Sequence, residues 1–192
     1  MDFGADAIGF IFVPGTPRYI GADLVAAKIP KHLPPFVRTV AVYRDMRDVH
    51  SRWERNFGLI QVYENVWGAR FSAVNRVIRA CRIADEASLE KIASEPFPAG
   101  TILLDAYHPD KLGGSGETFD WDLACEAKAR FRKPIILAGG LTSENVQDAL
   151  AAVQPYAVDV SSGVEAEPGV KDHGKMRAFI RAVREFDVRH GD

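Results

Sequence analysis

The sequence predicts an α/β fold built on a parallel sheet, and three observations carry that prediction. Seven short runs of aliphatic and aromatic residues recur along the 192 residues, at 7–12, 39–43, 59–63, 76–80, 102–105, 134–138 and 157–160. Several of these runs are apolar at successive positions instead of alternating, the pattern of strands covered on both faces. Between them lie segments with apolar residues at helical spacing, and strands alternating with helices build parallel sheets.

In chain order, the first run, Ala7-Ile8-Gly9-Phe10-Ile11-Phe12, leads into a Pro/Gly loop, Pro14-Gly15-Thr16-Pro17-Arg18-Tyr19. Helical spacing follows at 24–33, and Pro34-Pro35 marks a loop before the second run. Further helices are predicted at 49–55, 87–93, 123–131 and 176–188. The clearest is 143–153, where Val146, Ala149, Leu150 and Val153 form a stripe and Thr142 or Ser143 can cap the start. No repeat, low-complexity tract or linker divides the chain, so residues 1–192 read as one domain. A (β/α)8 barrel and an open doubly wound sheet both fit the alternation. Eight units would leave about 24 residues each, slightly under the usual lower limit of about 200 in all, whereas seven would have about 27. The arithmetic points to one unit missing.

Composition removes several classes of function. Apolar residues make up 47% and charged residues 26%, which suits a folded core and argues against disorder. Twenty-four basic and 26 acidic side chains give a net charge of −2, whereas nucleic-acid and anionic-membrane binders are normally far more basic. Apolar runs are too short to span a bilayer, and no basic segment precedes an apolar stretch at the start. Cys81 and Cys125 stand far apart without CxxC spacing, which disfavours a disulfide framework or zinc site and suits a reducing cytoplasm.

The strongest chemical signal lies near the C-terminus. One strand ends in Ala138-Gly139-Gly140-Leu141 before a helix, and the next ends in Ser161-Ser162-Gly163. Glycine lets backbone N–H groups approach an anion, and hydroxyls add donors that a plain turn does not require. Two such clusters after the last two strands favour a phosphate cradle over a pair of tight turns. Asp105 closes an otherwise apolar strand, so it is either a carboxylate on the active face, able to donate a proton, or a cap for the following loop. Arg18 can bind a carboxylate bidentately, though position alone favours a surface arginine. Asp159 reads equally well as a hydrogen-bonded core residue, and Cys125 as a buried thiol within a helix. His50, His108 and His173 lack metal-ligand spacing, and Arg38, Arg44, Arg47 and Trp53 suggest a solvated helix face.

Several segments match in order: 4–12, Pro17-Arg18-Tyr19-Ile20, Leu103-Leu104-Asp105, Gly113-Gly114-Ser115-Gly116 through Trp121, 137–141 with Glu144-Asn145-Val146, and 159–165 through Asp172. Together they resemble the phosphoribosylanthranilate isomerases of tryptophan biosynthesis over most of the chain. The resemblance implies a small (β/α)8 TIM barrel. The implied reaction is an Amadori rearrangement of N-(5-phosphoribosyl)anthranilate to 1-(2-carboxyphenylamino)-1-deoxyribulose 5-phosphate, with no cofactor or metal. It makes Asp105 the general acid and Arg18 the partner of the anthranilate carboxylate. Gly139, Gly140, Ser161, Ser162 and Gly163 become the phosphate turns, and residues 113–116 a loop bordering the substrate. The implied partner is a small phosphosugar, with neither nucleic acid nor membrane. A monomer or homodimer is expected, with fusion to or association with neighbouring pathway enzymes left open.

Two departures from the family pattern stand out. Its first strand carries Lys-Ile-Cys-Gly, whose cysteine is the general base, whereas this sequence starts at what matches the end of the first helix. The expectation is therefore a barrel whose first βα unit is missing from this chain. Cys81, placed after the 76–80 strand, is the weaker alternative base. A sugar-phosphate binder that has lost the base is the alternative function. The family's Gln-Leu-His-Gly motif reads Gln61-Val62-Tyr63-Glu64 here, before a shortened connection.

Overall fold

The computed structural model describes residues 3–21, 33–49, 56–64, 74–95, 99–106 and 120–190. Among the described residues the fold is α/β, with seven parallel strands ordered as in the chain. They are β1 (Ala7–Ile11), β2 (Arg38–Asp45), β3 (Leu59–Glu64), β4 (Val77–Ile83), β5 (Thr101–Ala106), β6 (Ile135–Leu137) and β7 (Ala157–Val158). The described helices are α1 (Glu86–Ser94), α2 (Trp121–Phe131), α3 (Val146–Val153) and α4 (His173–His190). All seven apolar runs are strands. The helices expected at 24–33 and 49–55 lie almost wholly outside the described residues, as does the 113–116 loop.

By their contacts the residues group into two compact units. One comprises Ala5–Ala80 and Phe97–Thr101, and holds β1, β2, β3 and the start of β4. Its core is an aromatic cluster: Phe12 stacks on Tyr43 at 5.2 Å between centroids, and Phe57 meets the edges of Phe10 and Phe12. Ile60, Val62, Ala41 and Val77 fill the space around these rings. Parallel register explains the grouping, because Phe10 aligns with Ala41, Ala41 with Ile60, and Ile60 with Val77. Aligned residues in a parallel sheet share a face. Arg38 and Arg44 lie on β2, and Arg47 pairs with buried Asp45 just beyond it. Arg38 and Arg44 therefore belong to a strand and Arg47 to the short 3-10 helix Met46–Asp48 that follows it, not to one solvated helix face; Trp53 falls outside the described residues.

The other unit comprises Met1–Gly4, Cys81–Pro96 and Ile102–Asp192. Here β5, β6 and β7 pair in turn, and α2, α3 and α4 neighbour one another in sequence order. Burial along β5 and β6 is nearly complete at Ile102, Leu104, Ile135 and Leu137, the residues of one sheet face. The predicted stripe of α3, Val146, Ala149, Leu150 and Val153, is buried as a whole. Local chemistry sets the helix ends. The Asp85 carboxylate accepts from the Ser88 N–H at 2.8 Å to start α1, and Asp120 does the same for Asp122 at the start of α2. Lys128 of α2 donates to the carbonyls of Val153 and Gln154, satisfying acceptors that the end of α3 leaves open.

Two boundaries differ from the sequence reading in ways that matter for the site. β4 continues to Ile83 and takes in Cys81, whose side chain is 5% exposed. Cys81 is thus a buried strand residue and does not follow the strand as expected. β7 stops at Val158, so Asp159 lies just past a strand end and not inside one. Cys125 is half-buried, its thiol donating to the Ala152 carbonyl at 3.4 Å, and is not the fully buried core thiol expected.

Leu104 is 0% exposed at the centre of its sheet face. Leu104→Ala should cost about 2–5 kcal/mol of stability by lost transfer energy and a residual cavity. Urea unfolding should show a lowered midpoint with little change in slope.

Candidate active site

The site begins with strand register. Leu104 of β5 aligns with Leu137 of β6, and Leu137 aligns with Val158 of β7. The ladder continues one step further, since the Ala138 N–H donates to the Leu104 carbonyl and the Asp159 N–H to the Leu137 carbonyl, both at 2.8 Å. Asp105, Ala138 and Asp159 therefore form the next level, at the C-terminal ends of three neighbouring strands. Successive side chains alternate in direction, so both aspartates lie on the face opposite Leu104 and Leu137. Two strand spacings put their backbones about 10 Å apart, within interaction range of two carboxylates.

Asp105 is half-buried. Asp159 is open to solvent yet recessed among protein atoms, and the lost hydration pushes its pKa up. The negative charge of Asp105 raises it further, while the Lys171 ammonium acts in the opposite direction. Asp159 thus holds a proton more readily than an ordinary aspartate, with burial the main cause and the Asp105 charge the second. Asp159 is not the satisfied core residue that the sequence allowed. The signal that singled out Asp105, an acid at the end of an apolar strand, was equally present in Val158-Asp159.

The two glycine-bearing turns meet. Gly139 (φ +81°) and Gly140 (φ +67°) adopt left-handed backbone conformations that side chains disfavour. Gly163 is confined for a different reason: a Cβ there would sit 1.9 Å from the Leu141 carbonyl oxygen and 3.2 Å from Val160 Cγ2. The backbones of the 139–141 and 161–163 turns are thus in direct contact, which only a residue without a side chain permits.

Each turn is also tied from behind. Asn145 donates from Nδ2 to the Gly140 carbonyl at 3.0 Å, and its Oδ1 accepts from the Thr142 N–H at 2.8 Å. Asn145 stands at the cap position of α3 without capping it by side chain, and Thr142 accepts from the Glu144 N–H. The expected Thr142 or Ser143 cap is replaced by this amide latch, which no spacing rule reveals. The second turn runs through a short 3-10 segment, Ser162–Val164, into a hairpin of β8 (Glu165–Glu167) and β9 (Val170–Lys171), absent from the sequence reading. Lys171 donates to the Ser161 carbonyl at 2.8 Å and to Glu165 Oε1 at 3.0 Å, and Lys175 donates to the Glu165 carbonyl at 2.8 Å.

Ser161, Ser162 and Gly163 are half-buried, as are Gly139 and Gly140. The structure thus brings Asp105, Asp159 and both turns to the C-terminal strand ends of one unit. Arg18 belongs to the other unit, where it follows β1. Its loop is held back by the Tyr19 N–H to Thr16 carbonyl and Ile20 N–H to Ile11 carbonyl bonds. Arg18 is half-buried and not a fully solvated surface residue. Among the described residues no three His, Cys, Asp or Glu side chains cluster as a metal site, and no helix is long and apolar enough to cross a membrane.

Parallel strands ending in paired carboxylates beside abutting glycine turns define a class: α/β proteins that bind a small anionic substrate at the strand ends and can move its protons. The family model described as N-(5'phosphoribosyl)anthranilate (PRA) isomerase matches residues 1–182. The chain is 43% identical over 189 residues to an N-(5'-phosphoribosyl)anthranilate isomerase of Pelobacter propionicus, covering 96% of this chain and 88% of the relative. A relative of the same name in Geotalea uraniireducens is 44% identical over 188 residues, 96% of this chain and 90% of its own. Among solved structures, phosphoribosyl anthranilate isomerase from Thermotoga maritima superposes with a TM-score of 0.81 at 37% identity, covering 96% of this chain and 90% of that one. Another isomerase structure, at a TM-score of 0.73 and 34% identity with the same coverages, is a complex with reduced 1-(o-carboxyphenylamino)-1-deoxyribulose 5-phosphate. This chain belongs to the phosphoribosylanthranilate isomerase family.

Two outcomes follow from this geometry. Gly163→Ala should destabilise the protein by about 1–3 kcal/mol or more, because backbone must move to admit the methyl group; chemical denaturation reads this directly. Asp159→Asn should be more thermostable than the unsubstituted protein at pH 7. Folded Asp159 keeps its proton to a higher pH than the unfolded chain, so the carboxyl costs stability as pH rises through the raised value. The advantage of Asp159→Asn should shrink as pH falls toward the ordinary value of 3.8, which melting temperatures over a pH series would show.

Proposed function

We propose that this chain catalyses the Amadori rearrangement of N-(5-phosphoribosyl)anthranilate to 1-(2-carboxyphenylamino)-1-deoxyribulose 5-phosphate in tryptophan biosynthesis, with Asp105 as its general acid. The observation that carries the reading is the contact of the 139–141 and 161–163 turns beside the strand ends bearing Asp105 and Asp159. In this reading the 5-phosphate sits on the turns, held by backbone N–H groups near Gly139, Gly140 and Gly163 and by the Ser161 and Ser162 hydroxyls. Arg18 pairs with the anthranilate carboxylate in the fork geometry that a guanidinium offers. The fold in this reading is a (β/α)8 barrel, supported by the likeness to the Thermotoga maritima structure.

The chemistry then assigns protons. Asp105 donates to the ribose ring oxygen as the C1′–O bond breaks, and the nitrogen lone pair forms an iminium at C1′. Loss of the C2′ proton turns the iminium into an enolamine, which tautomerises to the ketone product. No atom is gained or lost overall. Asp159, at the same level of the sheet, holds its own proton to a higher pH than an ordinary aspartate because burial and the Asp105 charge both favour its neutral form. In the family pattern the C2′ proton goes to a cysteine base, and Cys81, buried within β4, is not assigned that task.

With the polypeptide as the cell makes it, turnover should appear as loss of substrate fluorescence. Asp105→Asn should lower kcat by about 10²-fold or more, the scale of a lost general acid. Unchanged kcat would remove Asp105 from the mechanism. Tight product binding without turnover by the unsubstituted protein would instead favour a non-catalytic sugar-phosphate binder.

A further inference from the structure

The second phosphate turn has no left-handed glycine pair to set its course, and Ser161 makes no side-chain cap bond with the 3-10 segment that follows. The Ser161 carbonyl accepts a long bond from the Val164 N–H at 3.5 Å and a closer one from Lys171. An ammonium group has three donors, and two of them are accounted for by the Ser161 carbonyl at 2.8 Å and Glu165 Oε1 at 3.0 Å. Register explains why the lysine is there: Glu165 and Lys171 are directly paired across the β8–β9 hairpin. The Glu165 side chain is only 4% exposed, so its carboxylate strongly requires a cation, and the lysine is correspondingly fixed. Lys175, from the first turn of α4, adds a second anchor on the Glu165 backbone carbonyl.

Peptide planarity carries this constraint to the turn. The carbonyl of Ser161 and the N–H of Ser162 belong to one trans peptide group and point in opposite directions. Turning the carbonyl toward Lys171 therefore fixes the Ser162 N–H away from it, and so sets the direction of a donor in the turn itself. We propose that Lys171, through its joint hold on buried Glu165 and the Ser161 carbonyl, is a positioning residue that orients the 161–163 turn for a sugar phosphate. The inference rests on the reading above that this turn receives the phosphate.

Calorimetric titration with ribose 5-phosphate, ribose and anthranilate separates the two ideas. The unsubstituted protein should bind ribose 5-phosphate far better than ribose; equal binding would overturn the phosphate reading itself, and the role of Lys171 with it. Lys171→Ala should weaken ribose 5-phosphate by about tenfold, the scale of one lost charged hydrogen bond, while leaving anthranilate within about twofold. KM should rise in parallel, and Lys171→Arg, which keeps charge and donors, should restore most of the affinity. Because Lys171→Ala removes the paired ammonium from a buried carboxylate and can fail to fold, the double variant Lys171→Met/Glu165→Gln serves as the second measurement. It removes both charges together, and its ribose 5-phosphate affinity should remain low. Wild-type affinity in a folded Lys171→Ala or in the double variant overturns the proposal, as does equal weakening of anthranilate and ribose 5-phosphate.

Discussion

The approach of the Gly163 backbone to the Leu141 carbonyl is the constraint on which the candidate site depends. Ordinary side chains keep successive strand-end turns apart, because each Cβ needs its own volume. Here the absent side chain lets two turns, separated by about twenty residues of helix and strand, press together. Once they touch, neither can shift alone. That explains why so much nearby hydrogen bonding serves the backbone: Asn145 bridges two peptide groups of the first turn, and Lys171 holds a carbonyl of the second. An anion site made of backbone donors is only as specific as the backbone is still.

The carboxylates are placed by a different rule. Parallel strands in register bring residues one step past Leu104 and Val158 to one level and one face. A sheet that buries Leu104 and Leu137 completely on its other face cannot turn Asp105 or Asp159 inward without a one-residue slip of the whole strand. Hydrophobic burial thus aims the acids, and the charge of Asp105 then adds to the burial that raises the Asp159 pKa. Lys171 connects the two parts of the site, since it holds the Ser161 carbonyl and its charge also bears on Asp159.

The legible parts of this protein are those in which chemistry is local. Seven apolar runs became seven strands because continuous β-branched and aliphatic stretches have few other homes than a doubly covered sheet. The Val146, Ala149, Leu150 and Val153 stripe became the buried face of α3, since helical period alone dictates which residues share a side. Asp105 and the two glycine turns stood out because an acid or a glycine pair at the end of an apolar run is unusual in itself. The family resemblance rested on the same residues, and the comparisons agree with it.

Other features had no local signature. Asp159 and Asp105 are 54 positions apart in the chain, and only strand pairing makes them neighbours. Asn145 latches a turn five residues behind it through a fold-back that depends on both left-handed glycines. Lys171 finds Ser161 because a hairpin brings it round, and a short strand pair with Glu165, Glu167, Val170 and Lys171 has no hydrophobic alternation to announce it. Cys81 looks like a residue beyond a strand when the run is ended at Ala80, ahead of the charged Arg82, yet burial carries β4 on to Ile83. The sequence by itself determined the elements, the acid and the glycines, because periodicity and backbone freedom are properties of neighbouring residues. Tertiary structure alone decided which groups meet, because contact across strands depends on register and packing, and these exist only once the chain has closed on itself.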